Sequence, residues 1–86
     1  MRTLLFKQRS FDELHEWIRT DRKQYERIYR ILQECRRTPF EGIGKPEPLK
    51  GSLAGFWSRR VNEVDRMVYE ATATEIIVHS LTGHYE

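Results

Sequence analysis

The chain has 86 residues, 38% of them hydrophobic and 33% charged, with 15 lysines and arginines against 13 acids for a formal charge of +2. That length holds one domain with one modest core, burying roughly 60–65% of its unfolded surface, and no apolar stretch nears the roughly 20 residues of a membrane span. The near balance of charge excludes bulk positive charge as a route to nucleic acid, so its distribution matters. Between Lys45 and Arg66 the cations Lys45, Lys50, Arg59, Arg60 and Arg66 outnumber Glu47, Glu63 and Asp65.

Thr3-Leu4-Leu5-Phe6-Lys7 predicts a short, mostly buried first strand. Ser10 and Glu13 stand at the spacing of a capping box, which predicts a helix starting at Ser10. Phe11, Leu14, Trp17 and Ile18 continue it at helical spacing to an end near Thr20. Asp21, with Gln24 three residues on, predicts a second N-cap. The second helix carries a stripe of Tyr25, Ile28, Tyr29, Leu32 and Cys35, with Ile31 beside it. Arg36 and Arg37 suit its last turn, and Pro39 closes it. So tight a connection makes the two helices a hairpin.

From Phe40 to Leu53, glycines and prolines predict a loop or poorly regular strand. Phe56 to Asn62 alternates as a strand, with Trp57, Arg59 and Val61 on one face and Phe56, Ser58 and Arg60 on the other. A turn at Asn62–Asp65 leads into Arg66–Ala71, and Ile76–Leu81, the most apolar strand, is expected at the centre of the sheet. The order is β-α-α-β-β-β, or the same with one more short strand near Leu49 to Leu53. This is an α+β domain: a helical hairpin on one face of a mainly antiparallel sheet, the other face left for function.

Cys35 is the single cysteine and lies in the apolar stripe, so it reads as a core residue in a protein of the reducing cytoplasm. Met1–Lys7 is too short for a secretory leader. No His, Cys or acid residues have metal-ligand spacing, and His15 and His79 stand isolated; no metal or cofactor is expected.

The chemistry concentrates in a few residues. Glu47 is clamped between Pro46 and Pro48, whose fixed φ and effect on the preceding residue stiffen the loop around it. A loop carboxylate is ordinarily just solvated; the prolines are what single this one out. Arg60 and Arg66 are either solvent-face residues of a hairpin or forked donors for a phosphate. Lys50 is a loop point charge suited to substrate backbone, and Arg59, on the Trp57 face, is expected to be structural or at an edge. His84 offers an imidazole able to hold and release a proton near neutrality. Tyr85 offers a ring for base stacking.

The runs Arg36-Arg37-Thr38-Pro39-Phe40-Glu41-Gly42, Gly44-Lys45-Pro46-Glu47-Pro48-Leu49-Lys50 and Gly55-Phe56-Trp57-Ser58-Arg59-Arg60, with Arg66, Val68-Tyr69 and His84-Tyr85, resemble the YoeB toxins of the RelE superfamily. The resemblance spans nearly the whole chain. It implies a RelE-like fold and a ribosome-dependent endoribonuclease that cleaves A-site messenger RNA on the 70S ribosome without a metal. It also implies a YefM-type antitoxin partner, operator DNA reached only through that antitoxin, and dimers as in relatives. Carried over residue by residue, Glu47 would be the general base, Arg66 the phosphate stabiliser, His84 the general acid and Tyr85 the residue completing the site. Lys50 and Arg60 would hold RNA phosphates. Gly83, where relatives often carry a bulky side chain, and Glu86, past the usual terminus, depart from the pattern. Two alternatives stand beside this: a non-enzymatic toxin like the gyrase-binding ParE group on the same fold, and an antitoxin-bound transcriptional co-repressor.

Overall fold

The computed structural model describes residues 1–83. In chain order the elements are β1 (Thr3–Phe6), α1 (Gln8–Thr20), α2 (Arg22–Arg37), β2 (Glu47–Pro48), β3 (Trp57–Arg60), β4 (Arg66–Ala71) and β5 (Glu75–Ser80), with one 3-10 turn at Gly51–Leu53. The strands form a single sheet in the order β1-β5-β4-β3-β2. β1 runs parallel to β5, and the other pairings are antiparallel. Among the described residues, no helix is long and apolar enough to cross a membrane.

The helical hairpin covers one face. Ile28, Ile31, Leu32 and Cys35 of α2 recur at the spacing that brings a helix row onto one side, and they pack on Val61, Met67, Tyr69, Ile76, Val78 and Leu81. The helix is therefore turned one step from the expected stripe: Ile31 is fully buried and Tyr29 half exposed. Asp21 alone links the helices and caps the second, accepting the Gln24 N–H at 3.2 Å.

Three expectations are corrected. The first helix starts at Gln8 behind Lys7, and Ser10 is no cap but a fully buried residue inside it. Its hydroxyl donates to the Val78 carbonyl at 2.6 Å, and Glu13, instead of reaching back, accepts the Leu81 N–H. Tertiary partners outcompeted the local motif. β5 is interior but not central: β1 pairs along its outer side, which makes β4 the middle strand. The extra strand falls on Glu47–Pro48 instead of Leu49–Leu53, because Gly51 at φ +66° turns the chain into the 3-10 turn.

A bulge re-aims the end of β5. Tyr69 pairs with Val78 and Val68 with Ser80, which leaves His79 as the extra residue. Val78 and Leu81 can then both be buried in the core though they are three apart. His79 is left on the sheet's other face.

Candidate active site

A buried arginine positions the loop that carries Glu47. Arg59 follows the alternation of β3 into the helix-covered face and is wholly enclosed. Its Nη1 donates to Glu34 Oε1 at 2.6 Å and to the Ile43 carbonyl at 3.2 Å; Nη2 donates to the carbonyls of Thr38 at 2.6 Å and Glu41 at 3.0 Å. The Tyr69 hydroxyl accepts from Arg59 Nε at 3.3 Å and donates to the Pro39 carbonyl at 2.6 Å. One guanidinium thus ties down the chain from Thr38 to Ile43. Burial raises Tyr69 to about 12, against the pull of Arg59, so its hydroxyl keeps the proton it donates. Partial burial would raise Glu34, but the Ile43 N–H and the Arg59 guanidinium outweigh it and hold that carboxyl below its ordinary range.

Past Ile43 the loop is pinned again. The Arg60 N–H donates to the Gly44 carbonyl at 2.7 Å. Gly44 sits at φ +82°, and a Cβ there would meet the Arg60 carbonyl oxygen at 2.7 Å, so only glycine fits so close an approach. Three residues later Glu47 pairs with Ser58 on the edge of β3.

Glu47 and Arg66 meet on the face away from the helices. Arg66 Nη1 lies 3.5 Å from Glu47 Oε1, with the carboxylate 60% exposed and the arginine 25%. That separation is longer than a charge-assisted hydrogen bond of about 2.7–2.9 Å, so both groups keep valence for a ligand. Arg60 stands directly opposite Arg66 across the β3–β4 ladder and is exposed. Like charges so paired are destabilising without an anion between them. Lys50 is exposed just before the 3-10 turn and joins no ion pair among the described residues. His84 and Tyr85 lie outside the described residues. Gly83, bonded to His84, has its carbonyl held by the Arg66 N–H at 2.7 Å.

The chain matches the family model described as "YoeB-like toxin of bacterial type II toxin-antitoxin system" over residues 6–85. The chain belongs to the YoeB toxin family. Toxin YoeB of Escherichia coli O6:H1 is 44% identical over 82 residues, covering 95% of this chain and 98% of that protein. A solved YoeB/ParE toxin from Agrobacterium tumefaciens superposes with a TM-score of 0.91 at 40% identity, covering 96% of this chain and 99% of that one. The YoeB–YefM complex from Staphylococcus aureus gives 0.88 at 32% identity, with 99% of each chain covered. The fold is accordingly the RelE-like one expected, and the family is that of type II toxin–antitoxin toxins.

Sequence reasoning missed three features of this YoeB-family chain. The alternation of β3 sent Arg59 inward, but nothing in the local pattern named Glu34 or Tyr69 as partners. His79 is not isolated: its Nε2 meets Glu70 Oε2 at 2.6 Å and its ring stacks on Phe56 with centroids 4.6 Å apart. Asp65 and Glu13, read as a turn residue and half of a capping box, instead bond the segment beyond β5.

Proposed function

We propose that this YoeB-family chain is a ribosome-dependent endoribonuclease toxin of the cytoplasm, cleaving A-site messenger RNA by metal-independent acid–base chemistry and opposed by a YefM-type antitoxin. The observation that carries the reading is Arg66: its guanidinium faces Glu47 at 3.5 Å and its own N–H holds the residue before His84. RNA supplies the nucleophile. Glu47 takes the proton of the 2′-OH, and the 2′-oxygen bonds to phosphorus. The bond to the 5′-oxygen breaks, and His84 protonates that leaving group, giving a 2′,3′-cyclic phosphate and a free 5′-OH. Each proton transfer contributes about 10²–10⁴-fold. Arg66 answers the extra charge on the five-coordinate phosphorus. Arg60 and Lys50 hold flanking phosphates, and Tyr85 completes the site beside His84. The exposure of Glu47 leaves it unshielded until a substrate covers it, which supports a need for the ribosome to orient the RNA.

The test maps cleavage ends on ribosome-bound messages with the wild type, Glu47→Ala and Arg66→Ala. We expect A-site cuts from the wild type alone, with both variants folded and at least about 100-fold slower. Wild-type rates from Glu47→Ala, or fast general cutting of naked RNA, would overturn the reading. A gyrase-binding toxin has no use for a carboxylate set against a guanidinium; gyrase inhibition without RNA cleavage would favour that alternative.

A further inference from the structure

Residues that follow the last strand of a small domain ordinarily fray. Here Leu81, Thr82 and Gly83 are bonded from two sides. From α1, Glu13 Oε1 accepts the Leu81 N–H at 2.6 Å and Glu13 Oε2 accepts the Thr82 hydroxyl at 2.8 Å. One turn along, the Trp17 indole N–H donates to the Leu81 carbonyl at 3.0 Å. From the turn before β4, Asp65 Oδ1 accepts the Gly83 N–H at 2.8 Å, and the Arg66 N–H donates to the Gly83 carbonyl at 2.7 Å. Gly83 adopts φ +78°, a conformation an L side chain rarely takes. In that conformation its N–H and its carbonyl both meet the Asp65–Arg66 pair. Both carboxylates use both oxygens, since Asp65 Oδ2 also accepts from Asn62 Nδ2 at 3.1 Å.

We propose that Glu13 and Asp65 are positioning residues that deliver the C-terminal proton donor to the scissile phosphate. The proposal rests on the acid–base reading of Glu47, Arg66 and His84. A proton donor is useful only when its distance and angle to the leaving oxygen are fixed, and about 1 Å of misplacement can cost about 10²-fold. A donor borne on an untethered tail would spend most of its time elsewhere. The two carboxylates remove that freedom at the three residues before His84, and they do so next to Arg66, which touches the base at its other end. Their bonds are charge-assisted and so stronger than neutral ones. Burial, which would raise the Glu13 carboxyl, is outweighed by Arg9, the Leu81 N–H and the Thr82 hydroxyl, so it stays ionised at neutral pH.

The experiment compares Glu13→Gln, Asp65→Asn and the double variant with the wild type, each also with His84→Ala, in cleavage of messages on programmed ribosomes. A carboxamide has one acceptor oxygen where each of these sites uses two. The expected result is an unchanged half-saturating toxin concentration and a cleavage rate at saturation lowered about 10-fold or more in the double variant. The same changes should have no further effect once His84 is alanine. Losses that persist unchanged in the His84→Ala background, or a wild-type rate from the folded double variant, would overturn the proposal. If the carboxamide variants fail to fold, Thr82→Val, which deletes one bond of Glu13, must show the same slowing and the same dependence on His84; failing that, the proposal is wrong. The underlying nuclease reading fails separately, through a His84→Ala variant that cleaves like the wild type.

Discussion

Arg59 and Arg60 are adjacent and chemically alike, yet one is wholly enclosed and the other exposed, because successive strand residues face opposite sides. Enclosure costs a guanidinium its hydration, so Arg59 must find partners for its donors, and Glu34, Tyr69 and three loop carbonyls supply them. Removing one side of a fully buried pair costs about 3–5 kcal/mol, which is an upper bound here because the Glu34 side chain is 33% exposed. Arg59→Met should therefore lower the unfolding free energy by up to about that much in urea titration. It should also slow cleavage, since the loop that presents Glu47 loses its anchor. The face of Arg59 was legible in the alternation from Phe56 to Asn62. Its partners were not, because Glu34 reads locally as one more wet residue of α2. His79 repeats the lesson: it stands isolated in the chain, and although alternation puts it on the face of Ile77 and Glu70, only the folded sheet brings Glu70 and Phe56 against it.

Elements show where local rules are overridden. Asp21 and Ser10 both match N-cap patterns, but only Asp21 caps: the first helix already begins at Gln8, so Ser10 lies inside it, where its hydroxyl donates to the Val78 carbonyl. Asp21→Ala should thus cost about 1 kcal/mol of stability, measured by thermal or urea unfolding, with cleavage unchanged at permissive temperature. Gly44→Ala should cost more: about 1–2 kcal/mol for the left-handed backbone alone, before the clash with the Arg60 carbonyl is relieved. The helices, β3, β4 and β5 were readable because apolar period and turn residues agreed over long stretches. β2 was not readable. A two-residue edge strand ending in a proline, Glu47–Pro48, carries no periodicity and exists because β3 offers it a ladder.

At the scale of the molecule, acid should loosen the fold through two carboxylates. Glu34 and Glu13 both sit below their ordinary value of 4.5 when folded. The unfolded chain therefore binds more protons as pH falls through that value, and stability follows. Their contribution is full above about pH 4.5 and is lost as pH drops through the lower folded values. Urea midpoints should fall across that window, and Glu34→Gln should flatten part of the decline while starting from a lower plateau. The pairing of β1 with β5 carries a different consequence. The chain's first strand hydrogen-bonds to its last, and α1 reaches the residues just beyond it, so a nascent polypeptide stopped before Glu75 lacks the strand that joins its two halves. Such long-range closure is slow relative to helix formation. Under the proposed function, synthesis and toxicity would thereby be separated in time: a copy halted before Glu75 would lack the closed sheet that carries Glu47 and Arg66, and an antitoxin would have until release to intervene.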